Sequence, residues 1–250
     1  MRRASVSLPR GRWSRVLLAL LVLGVGLAGV AAVRPLGAED LWSAQRRSMV
    51  DDLRQRGIKE ASVLEAMGKV PRHLFVPDSV RAQSYQDQPL ALGAGRSIYQ
   101  PYVVALMTSL LHLDKGDKVL EVGTGTGYHA AVLSRIAREV YSIEIVAPVA
   151  SQARQRLQTL GYGNIEVRVG DGYQGWADKG PFDAILISAA PPHIPKPLID
   201  QLRVGGRMVV PLGGVLQDLL VITKTADGLE RRTVIPVRLT PMTGKVRDGR

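Results

Sequence analysis

Three acids stand where carboxylates can bind a nucleotide-like ligand. Glu121 lies two residues before Gly123 in the run Val119-Leu120-Glu121-Val122-Gly123-Thr124-Gly125-Thr126-Gly127-Tyr128. Glu144 ends the next apolar run, Val140-Tyr141-Ser142-Ile143-Glu144, about 20 residues beyond the glycines, where an acid can accept hydrogen bonds from both ribose hydroxyls. Asp171 sits between Gly170 and Gly172, after Ile165-Glu166-Val167-Arg168-Val169, and could accept from an adenine amino group. Glycines let the main chain approach a ligand closely and take positive φ without a Cβ penalty. Glu121, Gly123, Thr124, Gly125, Gly127, Glu144, Asp171 and Gly172 are therefore the candidate cofactor residues.

The glycine spacing narrows the cofactor. A dinucleotide loop reads G-x-G-x-x-G, but the third glycine position is Tyr128, and the pattern here is G-x-G-x-G. No Gly-Lys-Ser/Thr follows, so a P-loop is excluded. The acid before the loop suits a cation better than a pyrophosphate. S-adenosylmethionine has a sulfonium and an ammonium and no phosphate, and is the expected cofactor. A dehydrogenase is a distant alternative because the spacing is wrong.

These residues need strands that end at one edge of a sheet. From Lys118 the pattern predicts strand 118–122, helix 128–137, strand 139–144, helix 147–160 and strand 164–169. Strand 182–188, helix 195–203 and strand 206–211 follow, then strands 219–224 and 233–239 about a turn at Ala226-Asp227-Gly228. Pro236 inside the last run marks an edge position or a bulge. Alternating strands and helices imply an α/β fold with a doubly wound, mainly parallel sheet. Upstream, helices over 41–56 and 59–69 and a loop through Pro77 and Pro89 form an N-terminal helical cap, and Pro101 opens a helix over 102–113. The expected domains are a leader over 1–38, the cap and active-site loop over 39–100, a cofactor-binding domain over 101–244 and a tail over 245–250.

The 250 residues contain no Cys, which excludes disulfides, thiolate metal sites and a Cys nucleophile. Four separated histidines give no ligand pair at helical spacing, so no metal is expected. The net charge is +11, but residues 1–38 hold six arginines and no acid, so the basicity is weak evidence for nucleic acid and none is expected as a partner. After that basic start, Val16 to Val33 is apolar without interruption, the layout of a secretory signal or short signal anchor. Cleavage after Ala32 or Ala38 fits it, and the arginines keep the N-terminus inside. A periplasmic or inner-membrane-anchored body is expected, tethered through residues 16–33 if uncleaved. The alternative is a cytoplasmic protein that starts at Met49.

Several motifs together resemble protein-L-isoaspartate O-methyltransferases over roughly residues 49–244. Val70-Pro71-Arg72-His73-Leu74-Phe75-Val76-Pro77 is similar to the family's N-terminal signature, and Gly93 to Pro101 to its active-site segment. Leu120 to Tyr128 is similar to its cofactor loop, and Phe182 to Ile185 with Ala189 to Pro195 to its fourth strand and substrate loop. Ile235 to Pro241 resembles the family's ending more loosely. The resemblance implies methyl transfer from S-adenosylmethionine to the free carboxylate of L-isoaspartyl and D-aspartyl residues in damaged proteins and peptides, by a monomer. It implies Tyr99 and Ser97 as catalytic donors and Gln100, Ala190, Pro191 and Pro192 as substrate contacts. It also exposes a departure. The family reads Thr-Ile-Ser-Gln-Pro where this chain reads Ser97-Ile98-Tyr99-Gln100-Pro101, so Tyr99 occupies the family's catalytic serine position. Either Tyr99 does the serine's work from another distance, or Ser97 substitutes, or the activity is weak or altered. On that reasoning Tyr99→Ser should raise turnover. A methyltransferase of another acceptor and a membrane-tethered non-catalytic relative are the competing readings. Ala190-Pro191-Pro192-His193 lacks the side-chain acceptor that many amino-group methyltransferases place there, which disfavours a nitrogen target.

Overall fold

The computed structural model describes residues 38–247, with side chains from 41 to 246. The leader assigned to residues 1–38, with its apolar span 16–33, therefore lies outside the described residues except for its last position. Among the described residues no helix is long and apolar enough to cross a membrane.

The cap begins with α1 (Ala38–Gln55) and α2 (Ala61–Lys69). A 3-10 turn over Arg72–Phe75 and the short α3 (Asp78–Arg81) follow. The stretch expected as a loop contains a hairpin, β1 (Leu90–Gly93) paired antiparallel with β2 (Arg96–Ile98). Its turn residues Ala94 and Gly95 both have positive φ, 50° and 70°, as a two-residue hairpin turn requires. Ala-Gly stands where the usual signal is Asn-Gly, which hid the hairpin from sequence reading.

The main sheet has the order β5-β4-β3-β6-β7-β8-β9. Its strands are β3 (Lys118–Val122), β4 (Glu139–Glu144), β5 (Ile165–Val169), β6 (Phe182–Ile187), β7 (Leu202–Gly213), β8 (Gln217–Thr225) and β9 (Gly228–Val237). The first five in spatial order are parallel, and β8 and β9 add antiparallel neighbours. Four helices accompany it: α4 (Pro101–Leu111), α5 (Tyr128–Leu133), α6 (Ala147–Thr159) and α7 (Lys196–Gln201). Two helices are shorter than their periodicity predicts. After α5 the chain turns through Ser134 to Arg138 into β4, and after α7 it enters β7 at Leu202.

Strand alternation explains the two-sided burial. Val119, Ala184, Leu186 and Val209 face Met107, Leu111 and Leu133 of α4 and α5. Leu120, Val122, Ile185, Ile187, Met208 and Val210 face Leu198 of α7 and Trp176. Central parallel strands covered on both faces read as near-continuous apolar runs, as Val119-Leu120 and Ala184 to Ile187 do. The cap shares a core with the sheet helices, because Met49, Met67 and Phe75 cluster with Tyr128, Val132 and Leu157. Pro236 lies on the edge strand β9, next to a register shift opposite Leu219 and Leu220. It thus removes an N–H where few ladder bonds need one.

Candidate active site

The order of strand addition reverses between the parallel neighbours β3 and β6. The connections after β3 and β4 lead towards β5, and that after β6 leads towards β7. Open α/β sheets place ligands in the crevice this creates at the carboxyl ends of the strands. Here a cavity of ≈ 360 Å³ opens there. Its wall includes the glycine loop 122–126, Ile143 to Val146, Gly172, Ser188 and Ala189, hairpin residues 94–99 and the segment Thr240 to Thr243.

The glycine loop is fixed from behind. Gly123 has φ +100°, which favours glycine, while a Cβ there would make only ordinary contact with the Ser188 Cβ at 3.5 Å. The N–H of Gly123 donates to the Ile143 carbonyl at 2.8 Å. Glu144 reaches across from the end of β4. Its Oε2 accepts the Gly125 N–H at 2.9 Å and its Oε1 accepts the Val146 N–H at 3.0 Å. Two lone-pair positions on a carboxylate remain, and Glu144 borders the cavity.

Glu121 stands behind the loop and does not line the cavity. It is 0% exposed. Ser142 Oγ donates to Glu121 Oε2 at 2.5 Å, and Thr124 Oγ1 lies 2.6 Å from Ser142 Oγ. When Glu121 is ionised, Ser142 gives it its one proton and Thr124 is the donor in the second bond. Glu121 Oε1 is buried without a partner. Burial pushes this carboxyl up to about 8; the Ser142 bond pulls it back and the nearby Glu144 charge adds to the rise.

Tyr99 joins three segments of the wall. Its hydroxyl donates to the Ser188 carbonyl at 2.6 Å and accepts the Thr240 N–H at 3.3 Å. Its own carbonyl accepts from Arg72 Nη2 at 2.6 Å. Arg72 is 0% exposed, donates Nε to the Ser84 carbonyl at 2.7 Å, and stacks its guanidinium over the Tyr128 ring at 4.7 Å. Burial raises the Tyr99 hydroxyl above its ordinary range.

The remaining candidates divide. Ser97, Thr124, Gly125 and Gly172 line the cavity with Tyr99, Gly123 and Glu144. At Gly172 a Cβ would meet Val122 Cγ1 at 2.2 Å, so only glycine fits. Gly127 caps α5 with φ +85°. Asp171 stands beside the lining: Oδ1 accepts the Tyr173 N–H at 2.9 Å and Oδ2 the Lys245 N–H at 2.8 Å. Gln100 is the N-cap residue of α4. Ala190, Pro191 and Pro192 also stand outside the lining, and the first two have backbone partners within the chain. The Ala190 N–H donates to the Thr240 carbonyl and its carbonyl accepts the Met242 N–H, both at 2.8 Å, while the Pro191 carbonyl accepts the Gly213 N–H at 3.0 Å.

Sequence reading gave no role to Arg72, Ser188, His129 or Thr240 to Thr243. Arg72 lies in the quoted Val70 to Pro77 motif, and Ser188 directly precedes the quoted Ala189 to Pro195 motif. His129 occupies the first turn of α5 and borders the cavity. Thr108 Oγ1 donates to the Val104 carbonyl at 2.8 Å, so it must accept from His129 Nε2–H at 2.9 Å. That bond fixes the tautomer and leaves Nδ1 a buried acceptor without a partner.

The family model for Protein-L-isoaspartate(D-aspartate) O-methyltransferase matches residues 44–247. A protein-L-isoaspartate O-methyltransferase of a Synechococcus species is 51% identical over 226 residues, covering 86% of this chain and 93% of its own. A protein of a Polaromonas species with the same name and the suffix 2 is 54% identical over 186 residues, 73% of this chain and 88% of its own. A solved protein-L-isoaspartate O-methyltransferase aligns with TM-score 0.75 and 28% identity over 80% of this chain and 67% of that one. A Plasmodium falciparum structure in complex with S-adenosyl-L-homocysteine shares the fold, with TM-score 0.69 and 23% identity over 79% of this chain and 98% of that one. With most of its length matched by one family model and by relatives of about half identity, the chain belongs to the protein-L-isoaspartate(D-aspartate) O-methyltransferase family.

Proposed function

We propose that the cavity between Glu144 and Ser97 is where this protein-L-isoaspartate O-methyltransferase joins its cofactor to its acceptor. The enzyme uses S-adenosylmethionine to methylate the free carboxylate of isoaspartyl residues in damaged proteins, the first step of repair. One observation carries the assignment of the site: a single cavity is bordered at once by Glu144, the glycine loop, Ser97 and Tyr99.

The residues present fit the cofactor. Glu144 keeps acceptor capacity for a ribose diol. Ile145, Val146 and Gly172 line the cavity, and the two large, exposed apolar side chains would offer a contact surface to the cofactor's base. No lysine lines the cavity, and the one arginine that does is Arg96 of the hairpin. When bound, the cofactor supplies an electrophilic methyl group on a sulfonium.

The chain's own work is positioning. An acceptor carboxylate is ionised at neutral pH, so no general base is needed. The hairpin and the 240–243 segment hold it in line and exclude water. Tyr99 has one proton and donates it to Ser188, so we assign Tyr99 the role of clasp. Ser97, on the same hairpin and in the cavity wall, is the hydroxyl donor to the acceptor, together with main-chain N–H groups of 96–100. Gln100, Ala190, Pro191 and Pro192 act indirectly, by holding the helix start and the segment ends. The test is methyl transfer by the purified full chain to paired isoaspartyl and aspartyl peptides. Equal labelling of both, or of neither, by protein that binds cofactor would count against this reading.

The leader supports export or a membrane tether, and the enzyme acts as a monomer. A fusion of residues 1–38 to a reporter active only outside the cytoplasm tests the first, and light scattering of the purified chain tests the second. A silent reporter in expressing cells would sink the export proposal and favour a start at Met49.

A further inference from the structure

The turn between β7 and β8 carries two apolar side chains that nothing in the described chain covers. Val215 is 96% exposed and Leu216 is 88% exposed. Scattered exposed apolar residues are ordinary, but an adjacent pair this bare on a firmly held turn is not. Gly213 has φ +135°, and a Cβ there would stand 2.1 Å from the Leu216 carbonyl oxygen, so the turn requires glycine. Gln217 is 5% exposed. Its Nε2 donates to the Gly214 carbonyl at 3.2 Å and the Leu239 carbonyl at 3.0 Å, and its Oε1 accepts the Leu239 N–H at 2.7 Å.

Topology places this turn at the reaction's edge of the sheet. β7 runs parallel to β6, so its last residue, Gly213, lies at the end from which the cavity-lining residues after β3, β4 and β6 emerge. The Gly213 N–H is bonded to Pro191, two residues beyond the cavity residue Ala189. Gln217 holds Leu239, and the next residue, Thr240, lines the cavity and meets Tyr99. The turn is thus anchored on both sides to the acceptor wall.

We propose that Val215 and Leu216 form a rail that binds apolar residues flanking the isoaspartate in the polypeptide substrate. The proposal rests on the function given above. Continuity with the acceptor wall identifies the occupant, because the reacting residue must enter there with its neighbours attached. No charged side chain lies between Pro211 and Gln217, so the rail selects by apolar area and its contribution resists salt.

The test uses the full chain and its Val215→Ser/Leu216→Ser double variant. Each receives two isoaspartyl peptides of equal length, one flanked by Leu and Val and one by Gly and Ser. The wild type should favour the apolar-flanked peptide. The double variant should raise KM for that peptide roughly tenfold, at low and high salt alike. Its kcat, its KM for the Gly/Ser peptide and its S-adenosylhomocysteine affinity should stay unchanged. Equal KM values for both peptides in both proteins would overturn the rail alone. Wild type that binds S-adenosylhomocysteine but methylates neither peptide would overturn the parent function and the rail with it. Unmoved peptide KM with lost binding to lipid vesicles, or lost self-association, would give the turn to that partner instead and overturn the proposal.

Discussion

The Tyr99 hydroxyl lies 2.6 Å from the Ser188 carbonyl oxygen, bridging positions 89 residues apart in the chain. It also receives the Thr240 N–H, so one phenol holds the hairpin, the end of β6 and the C-terminal segment together. A serine at position 99 could not span that gap, so on the proposed clasp role Tyr99→Ser should loosen this wall, where the family pattern alone leads one to expect faster turnover.

Tyr99→Phe removes the clasp and keeps the ring. It should cost about 1–3 kcal/mol of stability, because the part-buried Ser188 carbonyl loses its donor, while the exposed Thr240 N–H can turn to water. A melting scan should show a drop of roughly 2–10 °C for a domain of this size. Turnover should stay within about threefold, while Ser97→Ala should lower kcat/KM for an isoaspartyl peptide by roughly tenfold or more. A collapse of kcat in Tyr99→Phe with normal cofactor affinity would return the donor role to Tyr99.

Glu144→Gln tests the cofactor end. The amide keeps one acceptor oxygen but turns an NH₂ towards either the Gly125 or the Val146 N–H. Dissociation constants should rise roughly 10- to 100-fold, the range of a charged hydrogen bond. S-Adenosylhomocysteine and 5′-methylthioadenosine should weaken alike, since both have the ribose. Calorimetric titration that finds only the former weakened would move Glu144 away from the ribose.

His129 makes the fold acid-sensitive. Burial pushes its imidazole down to about 3, with the Arg72 charge assisting, against an unfolded value near 6.5. A depressed pKa contributes stability that is present above about pH 6.5 and drains as pH falls towards 3. Between pH 7 and pH 5 the loss from this residue is on the order of 2 kcal/mol. Urea titrations of wild type should show it, and those of His129→Leu should show a flatter acid limb. Parallel acid limbs in the two proteins would contradict the assignment.

Much of the sheet was legible because its central strands are covered on both faces and must be largely apolar, as Val119, Leu120 and Val122 and the run Ala184 to Ile187 are. The glycine loop and Glu144 were legible because close approach to a ligand demands particular residue types. What stayed hidden depends on long-range pairing. Nothing local in Ser188 or Thr240 announces that a phenol from position 99 will meet their backbone. The hairpin 90–98 lacked its Asn-Gly mark. Glu121 was legible as an acid placed for a cation, but its position behind the loop follows from alternation along β3 and needed the fold.

Glu121 supplies the opposite pH limb. Its carboxyl is raised from about 4.5 to about 8, so the ligand-free fold holds it neutral at pH 7. A raised pKa contributes stability that is present below about 4.5 and drains as pH rises through 8. Glu121→Gln resembles the neutral acid in shape and should be the more stable protein at pH 8, by an amount on the order of a few kcal/mol. The same residue links binding to protons. A sulfonium and an ammonium brought to the glycine loop favour the charged carboxylate. Cofactor binding near pH 7 should therefore release a fraction of a proton. Calorimetry in buffers of different ionisation enthalpy measures that release directly. Wild type should show a buffer-dependent enthalpy and Glu121→Gln should show none. A buffer-independent enthalpy in wild type would mean that Glu121 keeps its proton when the site fills, leaving it only the role of holding Thr124 through Ser142.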